Sequence, residues 1–267
     1  MIIRKNYAAV ELINDVRLQI ITLGHASTAC EWDGSIKSPM YARLYYIIGG
    51  DPYVIINGKK TELRHGHCYL FPTGFSFRHA CNTTMEQLYF HINLNDYNGT
   101  DLLRECKEMM EYKPAEGTIE RILDYFYSES LEDTLKLRHE VYASLFAMLD
   151  KYSVTLTSSN YSRCVMLALK YIKSHLSLQI GIEELAAIAF VSDSTLAKKF
   201  RQEVGTTIGN YIDSMIMFEA EQLLLKTDMT VLQISERFGF CDQFYFSRKF
   251  KQKYGETPHK YRKLKLI

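Results

Sequence analysis

Polar side chains with long reach surround two phenylalanines near the C-terminal end of the chain. Phe246 and Phe250 are four residues apart, the spacing that places two side chains on the buried face of an α-helix. The opposite face would carry groups able to contact base edges, because arginine can bond O6 and N7 of guanine together and glutamine can bond adenine in the same way. The candidates on that face are Gln243, Tyr245, Ser247 and Arg248.

A second group of aromatic and hydrogen-bonding residues lies in the first half of the chain. Arg43 and Tyr45 are two residues apart, and so are Tyr89 and His91. In an extended strand each pair would share one face. Together with His79 they form a candidate ligand site, since aromatic faces with a few hydrogen-bonding groups suit a sugar or a small carboxylate. The alternative is that these five are ordinary surface or core residues.

Strands are the elements that must position this second group. Between Tyr41 and Leu94 the sequence consists of short runs rich in aromatic and β-branched residues, separated by turn residues. Asn57-Gly58 is typical of a type I′ hairpin turn, and Asp51-Pro52 predicts a break between two strands. We expect an antiparallel β-barrel or sandwich. Its predicted strands are Arg43–Ile48, Tyr53–Ile56, Lys59–Leu63, Cys68–Phe71 and Glu86–Leu94.

Helical spacing replaces the strand pattern from about residue 101. We expect residues 101–151 to form or support a homodimer, because an apolar stripe at four-residue steps is wide enough for a helix–helix seam. Packing of the stripe onto the strands of the same chain is the alternative. The next segment, 152–160, is rich in Ser and Thr and predicts a linker. The stripe consists of Leu137, Val141, Leu145 and Leu149.

An internal repeat determines the class of the second half. Residues 196–211 match residues 246–261 at an offset of 50, and the region just upstream matches at an offset of 49. Each unit predicts a helix, a tight turn and a second helix, with Ser192 or Asp242 as the N-cap residue of the second helix. Two helix-turn-helix units suit two successive major-groove segments of double-stranded DNA. The outward face of the first unit would present Ser194, Ala197 and Lys198.

Charge separates the two halves. Residues 1–160 carry a net −4 and residues 161–267 a net +5, although the whole chain is close to neutral. The basic half favours a polyanion partner, and a solvated basic surface is the alternative. The six cysteines are scattered, no stretch approaches the roughly 20 apolar residues of a membrane helix, and the N-terminus lacks the pattern of a signal peptide. We therefore expect a cytoplasmic protein with reduced thiols and no membrane contact.

The stretch from Val231 to Arg262 resembles the signature of the AraC/XylS family of bacterial transcription regulators. The resemblance extends back to about Tyr161 and covers some 40% of the chain. Ser235 stands where the family prefers alanine, and Ile216 stands where an arginine is usual. The resemblance implies a regulator that binds double-stranded DNA and acts with RNA polymerase. The matching positions are Ile234, Gly239-Phe240, Asp242, Phe246, Arg248, Phe250, Gly255, Thr257-Pro258 and Tyr261-Arg262.

The strands of the first half look like the cupin-type domain found in front of many AraC-type regulators. Metal-binding cupins place a histidine where this chain has Phe77, and His65 and His67 lie at the wrong end of the motif. Because three ligands are the minimum for a catalytic metal, we expect no metal, no cofactor and no enzyme activity. The cue for the resemblance is Gly66, Pro72 and Gly74, and the positions of the other expected ligands hold Met40, Ala42 and Tyr46 or Ile47.

These expectations describe a multidomain α+β chain: a cupin-like antiparallel β-barrel with following helices, and an all-α double helix-turn-helix domain. We expect a transcription activator that responds to a sugar or another small metabolite. One alternative is a DNA-binding regulator whose first domain binds a protein partner or only dimerises. The other is a cupin enzyme fused to a DNA-binding domain. The expected parts are a ligand-binding domain at 1–100, a dimerisation segment at 101–151, a linker at 152–160 and a DNA-binding domain at 161–267.

Overall fold

The computed structural model describes residues 16–29, 32–37, 40–96, 101–104, 106–156 and 161–265. The chain divides into two compact units, Met1–Ser159 and Asn160–Ile267. Residues 157–160 of the predicted linker lie outside the described residues. Cys30 and most of the N-terminal segment also lie outside them.

One antiparallel sheet forms the frame of the first unit. Its strands are β1 (Arg17–Ala29), β2 (Gly34–Ile36), β3 (Ala42–Ile56), β4 (Lys59–Glu62), β5 (Cys68–Phe71), β6 (Phe77–Asn95) and β7 (Met110–Tyr112). They pair in the order β1-β6-β3-β5-β7, with β2 also on β6 and β4 also on β3. This arrangement confirms the predicted class, an antiparallel sheet domain with helices after it.

The two longest strands, β3 and β6, are continuous, and the predicted break at Asp51-Pro52 is wrong. Their register shifts at residues 47–49 and 50–52 without ending the pairing, as at a β-bulge. Gly50 adopts a φ of 82°, and a Cβ atom there would lie 2.2 Å from the carbonyl oxygen of Thr84. The Asp51 carboxylate accepts the N–H groups of Thr83 (2.8 Å) and Thr84 (3.2 Å), so it ties the irregular part of β3 to β6.

Other strand predictions had mixed outcomes. The Asn57-Gly58 turn is confirmed, with positive φ values of 50° and 79°. Strand β5 has the predicted bounds, whereas β6 begins nine residues before the predicted Glu86. β1 was not predicted, and it pairs with β6 along most of its length. β7 lies in the region predicted to be helical and pairs with β5.

Alternate residues of the sheet enter two separate cores. On one face, residues such as Leu44 and Phe90 pack with the helices of the unit. On the other face lies a second cluster, here called the aromatic core. A strand supplies both because its side chains alternate between faces. The buried members of the aromatic core are Tyr45, Ile47, Val54, Leu63, Tyr69, Phe71 and Phe77.

Two helices, α1 (Thr118–Tyr127) and α2 (Leu131–Lys151), follow the sheet. Ser130 caps α2 by accepting the N–H of Asp133. The apolar stripe of α2 is buried against the sheet of its own unit, so the prediction that it forms a seam between two copies is wrong and the alternative is correct. The exposed fractions of Leu137, Val141, Leu145 and Leu149 are 7%, 0%, 0% and 3%.

The second unit is helical. Its helices are α3 (Arg163–His175), α4 (Ile182–Ala189), α5 (Asp193–Val204), α6 (Ile208–Lys226), α7 (Val231–Arg237), α8 (Gln243–Tyr254) and α9 (Pro258–Lys265). The pairs α4–α5 and α7–α8 are the two predicted helix-turn-helix units, and α6 connects them. Phe200, Phe246 and Phe250 are fully buried in one core.

The turns of the two units use different residues at the same backbone position. Equivalent backbone hydrogen bonds close each turn onto the preceding helix. The left-handed residue is Gly239 in the second unit, with φ 77°, and Phe190 in the first, with φ 56°. The second turn is one residue longer, because the N-cap residues Ser192 and Asp242 correspond at an offset of 50 while the helices before them correspond at 49.

Candidate functional site

The second helix of each unit is called here its recognition helix, and in the second unit this is α8. Asp242 caps it by accepting the N–H groups of Phe244 and Tyr245, both at 2.7 Å. The N–H of Tyr245, together with that of Phe244, holds the pKa of the Asp242 carboxyl below its ordinary value. Phe246 and Phe250 are buried, as predicted, so the opposite face of α8 is turned to solvent.

The predicted residues of α8 differ in how far they are exposed on that face. Arg248 is exposed, and two others are half-buried. The ring centroid of Tyr245 lies 5.8 Å from the guanidinium carbon of Arg248 and 5.5 Å from the ammonium of Lys249. Lys249 forms an ion pair with Asp213 of α6 at 2.8 Å. Tyr245 therefore lies on the flank of α8 that turns towards α6. The half-buried residues are Gln243 and Ser247.

Phe244 belongs to the outward face and was missed at the sequence level. Its side chain is 67% exposed. It precedes the buried Phe246 by two residues, about 200° around the helix, which places it almost opposite the core. The signal was present in this spacing, but an aromatic residue beside two core phenylalanines is easily assigned to the core.

The recognition helix of the first unit, α5, presents shorter side chains. The Ser192 hydroxyl caps it by accepting the N–H of Thr195 at 3.3 Å. Ser194, Ala197 and Lys198 are all exposed on the outward side, where the spacing predicts them. Arg201, one turn after Ala197, is exposed as well and was not among the predicted residues.

A groove of about 520 Å³ opens beside α5. Lys198 and Arg201 line it together with Thr207, the N-cap residue of α6. Within the described part of the chain, neither cation forms an ion pair. Two unpaired cations beside a helix N-terminus suit a backbone phosphate of a duplex. The apolar part of the lining consists of Ile180, Ile182, Ala197, Ile208 and Ile212.

Two matching positions at the C-terminal end stabilise the fold. Arg262 donates from Nε to the carbonyl oxygen of Leu224 (2.8 Å) and from Nη2 to that of Met229 (2.6 Å), so it satisfies carbonyl groups at the end of α6 and after it. The Tyr261 hydroxyl donates to the buried carboxylate of Glu221. Both side chains hold α9 against α6.

The sheet brings four of the five predicted ligand residues together. In the pairing of β3 with β6, Arg43 lies opposite His91 and Tyr45 lies opposite Tyr89. The Arg43 Nη1 is 2.7 Å from the His91 Nε2, and its Nη2 donates to the Tyr41 hydroxyl at 3.1 Å. Burial raises the pKa of Tyr89, so its hydroxyl remains a neutral donor. The result is a guanidinium surrounded by aromatic hydroxyls and an imidazole.

The fifth predicted residue, His79, reaches the same face through an aromatic side chain that the sequence did not single out. The ring of Trp32 lies 4.5 Å from that of His79 and 6.5 Å from that of Tyr45. A Cβ added to Gly34 would lie 2.9 Å from the His79 ring, and one added to Gly24 would lie 2.5 Å from the Tyr89 hydroxyl. The two glycines therefore leave the space that these rings fill.

Glu111 joins several elements at the edge of this unit. Its carboxylate Oε1 accepts hydrogen bonds from Arg64 Nη2 (2.6 Å), His67 Nδ1 (2.8 Å) and the Tyr69 hydroxyl (2.8 Å). Its backbone N–H donates to the hydroxyl of Tyr152 (3.0 Å), just after α2. Burial raises the pKa of Tyr69 to about 12. The network connects the aromatic core to the end of α2, and no sequence pattern predicted it.

None of the helices formed by the described residues combines the length and the apolar character needed to cross a membrane. No three His, Cys, Asp or Glu side chains in the described part of the chain lie close enough together to hold a metal ion.

Comparison with known proteins agrees with the two helix-turn-helix units. Residues 185–264 match the family described as a helix-turn-helix domain. Multiple antibiotic resistance protein MarA of Salmonella typhimurium is 33% identical over 94 residues, which are 35% of this chain and 74% of MarA. The chain belongs to the AraC/XylS family. It is therefore a DNA-binding transcription regulator.

Other members of the AraC/XylS family match more of the chain. The Msm operon regulatory protein of Streptococcus mutans is 24% identical over 232 residues, 82% of this chain and 83% of that protein. A crystal structure of ToxT from Vibrio cholerae with bound unsaturated fatty acid has the same fold, with a TM-score of 0.65 over 90% of this chain and 94% of ToxT at 13% identity. The fold likeness thus includes the first unit.

The two departures from the AraC/XylS pattern fit their surroundings. Ser235 is buried, and its hydroxyl donates to the carbonyl oxygen of Leu232 at 2.8 Å, so its polar group is satisfied within α7. Ile216 is fully buried in the core of the second unit. A charged side chain at that position would lose its hydration, whereas isoleucine adds apolar contact.

Proposed function

We propose that this regulator is a cytoplasmic homodimer that binds a small molecule in its first unit and activates transcription through RNA polymerase. The observation that carries the proposal is the pairing of Arg43 with His91 and of Tyr45 with Tyr89 on one face of the sheet. Such a concentration of donors next to an aromatic core suits a ligand with polar groups. A sugar and a small carboxylate both fit this description.

The DNA contacts are proposed residue by residue. The side chains proposed to contact base edges are those on the outward and flanking faces of the two recognition helices. The groove beside α5 provides a place for a backbone phosphate. Half or more of the contacts in such complexes go to phosphate and sugar, so short side chains on α5 are compatible with binding. The proposed contact residues are Ser194, Lys198, Gln243, Tyr245, Ser247 and Arg248.

The ligand proposal is tested by calorimetric titration with a panel of simple sugars and of carboxylates from short to long chain. The carboxylates belong in the panel because ToxT was crystallised with an unsaturated fatty acid. We expect one class to bind, and Arg43→Gln to weaken that binding by at least tenfold. Arg78→Gln is the matched control, because Arg78 forms an exposed ion pair with Asp33.

Failure of every ligand in the panel to bind the purified chain would favour the alternative, a first unit that binds a protein partner or only dimerises. A metal-dependent activity of the whole chain would favour the other alternative, a cupin enzyme fused to a DNA-binding domain.

The dimer interface is proposed on the exposed side of α2. The core-facing stripe is buried, but Leu131, Leu135 and Phe146, which lie within about 60° of one another around α2, are 77%, 60% and 42% exposed. The Tyr142 and Phe146 rings stack at 5.9 Å. A second copy that packs along this line would bury these apolar groups.

Leu131→Asp combined with Leu135→Asp should give a folded monomer in analytical ultracentrifugation. Leu232→Asp on α7, the control, should leave the dimer intact. A persistent dimer of the double variant would contradict this interface.

A further inference from the structure

Phe244 is an exposed aromatic side chain on a helix built to meet DNA. Its backbone N–H is fixed by the Asp242 carboxylate at 2.7 Å, so its position in the first turn of α8 is determined. The side chain is 67% exposed, although Phe246 and Phe250 on the same helix are fully buried. An exposed apolar residue by itself is ordinary. Here the position matters, because the N-terminal residues of a recognition helix are the ones that contact base edges.

The neighbours of Phe244 on the helix surface are polar. Arg248 is four residues later and lies about 40° away around the helix, and Lys251 is a further turn along. Both are exposed. The outward face of α8 therefore combines one apolar ring with cationic groups that can bind guanine or phosphate.

The ring has one chemical counterpart in the major groove. Phenylalanine has no hydrogen-bonding group, so it cannot bond the oxygen and nitrogen atoms of the base edges. The apolar group there is the C5-methyl of thymine. We propose that Phe244 reads a thymine methyl in the segment that α8 contacts, next to the base bound by Arg248. The proposal rests on the proposed DNA contacts of α8.

The same position in the first unit differs. At the repeat offset of 50, Ser194 of α5 corresponds to Phe244 of α8. Ser194 is exposed, and its hydroxyl lies 3.2 Å from that of Ser192. A short hydroxyl cannot cover a methyl group as a phenyl ring does. We therefore expect thymine-methyl recognition in the α8 segment and none from Ser194 in the α5 segment.

The experiment replaces thymines one at a time with deoxyuridine, which retains the O4 acceptor and lacks only the methyl. A duplex selected from random DNA by the whole chain serves as the target, and affinities are measured by fluorescence anisotropy. For the unaltered chain we expect one or two positions in the α8 segment at which the replacement weakens binding by roughly fourfold, the effect of one buried methyl-sized group. Phe244→Ala should bind more weakly and show no further loss at those positions.

Leu232→Ala is the matched control, since Leu232 is an exposed apolar residue of α7 and 46% exposed. It should retain the full response to deoxyuridine, and thermal unfolding should confirm that both variants are folded. Equal responses of the unaltered chain and of Phe244→Ala at every position would overturn the proposal. If Arg248→Ala also left binding to the selected duplex unchanged, all the proposed contacts of α8 would be wrong. That result is distinct from failure of the Phe244 proposal alone.

Discussion

Lys198 and Arg248 hold equivalent positions in the two recognition helices, at the repeat offset of 50, and differ in what they can recognise. A guanidinium offers two parallel donors that match O6 and N7 of guanine. An ammonium is a single point of charge, and the groove beside Lys198 suits a phosphate. The two residues should therefore contribute differently to DNA binding.

We predict that Arg248→Ala costs about 1–3 kcal/mol on a selected duplex and much less on random DNA, because a base contact is lost. Lys198→Ala should weaken binding to both duplexes by similar factors and should lower the magnitude of the negative slope of log K against log salt by about one. Binding titrations at three salt concentrations measure both effects. If Lys198→Ala relaxed base preference while Arg248→Ala changed only the slope, the roles would be reversed.

Phe190 has a backbone conformation that disfavours its residue type. Its φ is 56°, and the equivalent residue of the second unit is Gly239. The left-handed region costs a non-glycine residue about 1–2 kcal/mol, and the exposed ring recovers little of this by burial. Phe190→Gly should therefore raise the midpoint of thermal unfolding, while Phe190→Ala, which retains the strain, should not. A lower midpoint for Phe190→Gly would mean that the ring stabilises the turn.

At the scale of elements, the sequence predicted those segments whose pattern is local. The helix-turn-helix units were predictable because the repeat is visible in the sequence, and the spacing of Phe246 and Phe250 indicates which side of α8 is buried. The continuity of β3 was not, because Asp51-Pro52 has the composition of a turn and is held in the sheet by residues distant in sequence. These are strand β6 and the N–H of Leu63, which donates to the Pro52 carbonyl oxygen at 2.9 Å. The four-residue stripe of α2 indicated a buried face but not the partner that buries it. Phe244 was missed for a related reason, since its type favours the core and only its angular position contradicts that.

The Glu111 network is the element-scale contact that we expect to depend on pH. Burial by itself raises the pKa of Glu111, but hydrogen bonds from Arg64, Tyr69 and His67 outweigh burial and hold the pKa below its ordinary value. A carboxyl with a lowered pKa in the folded state stabilises that state above its unfolded pKa of about 4.3, and this contribution disappears as the pH falls through the folded value.

Glu111→Gln should therefore lower the free energy of unfolding by about 1.5–3 kcal/mol at pH 7, the range for hydrogen bonds to a charged group. The difference from the unaltered chain should shrink below about pH 4, where the carboxyl itself becomes protonated. Denaturant titrations across this pH range measure it. Glu140→Gln is the control, because among the residues that the structure describes Arg121 alone donates to the Glu140 carboxylate, at 3.3 Å. A difference that stayed constant with pH would contradict the assignment to the charge.

At the scale of the whole molecule, the charge division and the internal repeat agree. The basic half contains both helix-turn-helix units, and the acidic half contains the sheet. Neither the charge division nor the repeat identifies a ligand for the first unit. The face with Arg43 and His91 is assembled by the register of two long strands, and a register is not encoded in local composition.

The length of α6 predicts how the two recognition helices would be spaced along a duplex. It extends from Ile208 to Lys226, as predicted, and its 19 residues span about 28 Å. We expect it to hold the two recognition helices about one duplex turn apart, so that one protomer protects two segments centred ~10 base pairs apart.

Insertion of five base pairs between the segments would turn one of them to the far side of the duplex and should weaken binding about tenfold or more. Insertion of ten base pairs returns both segments to the same face of the duplex but moves them about one further turn apart. A rigid α6 cannot span that distance, so binding should stay weak. Unchanged affinity for the five-base-pair insertion would show that the two units bind independently of α6.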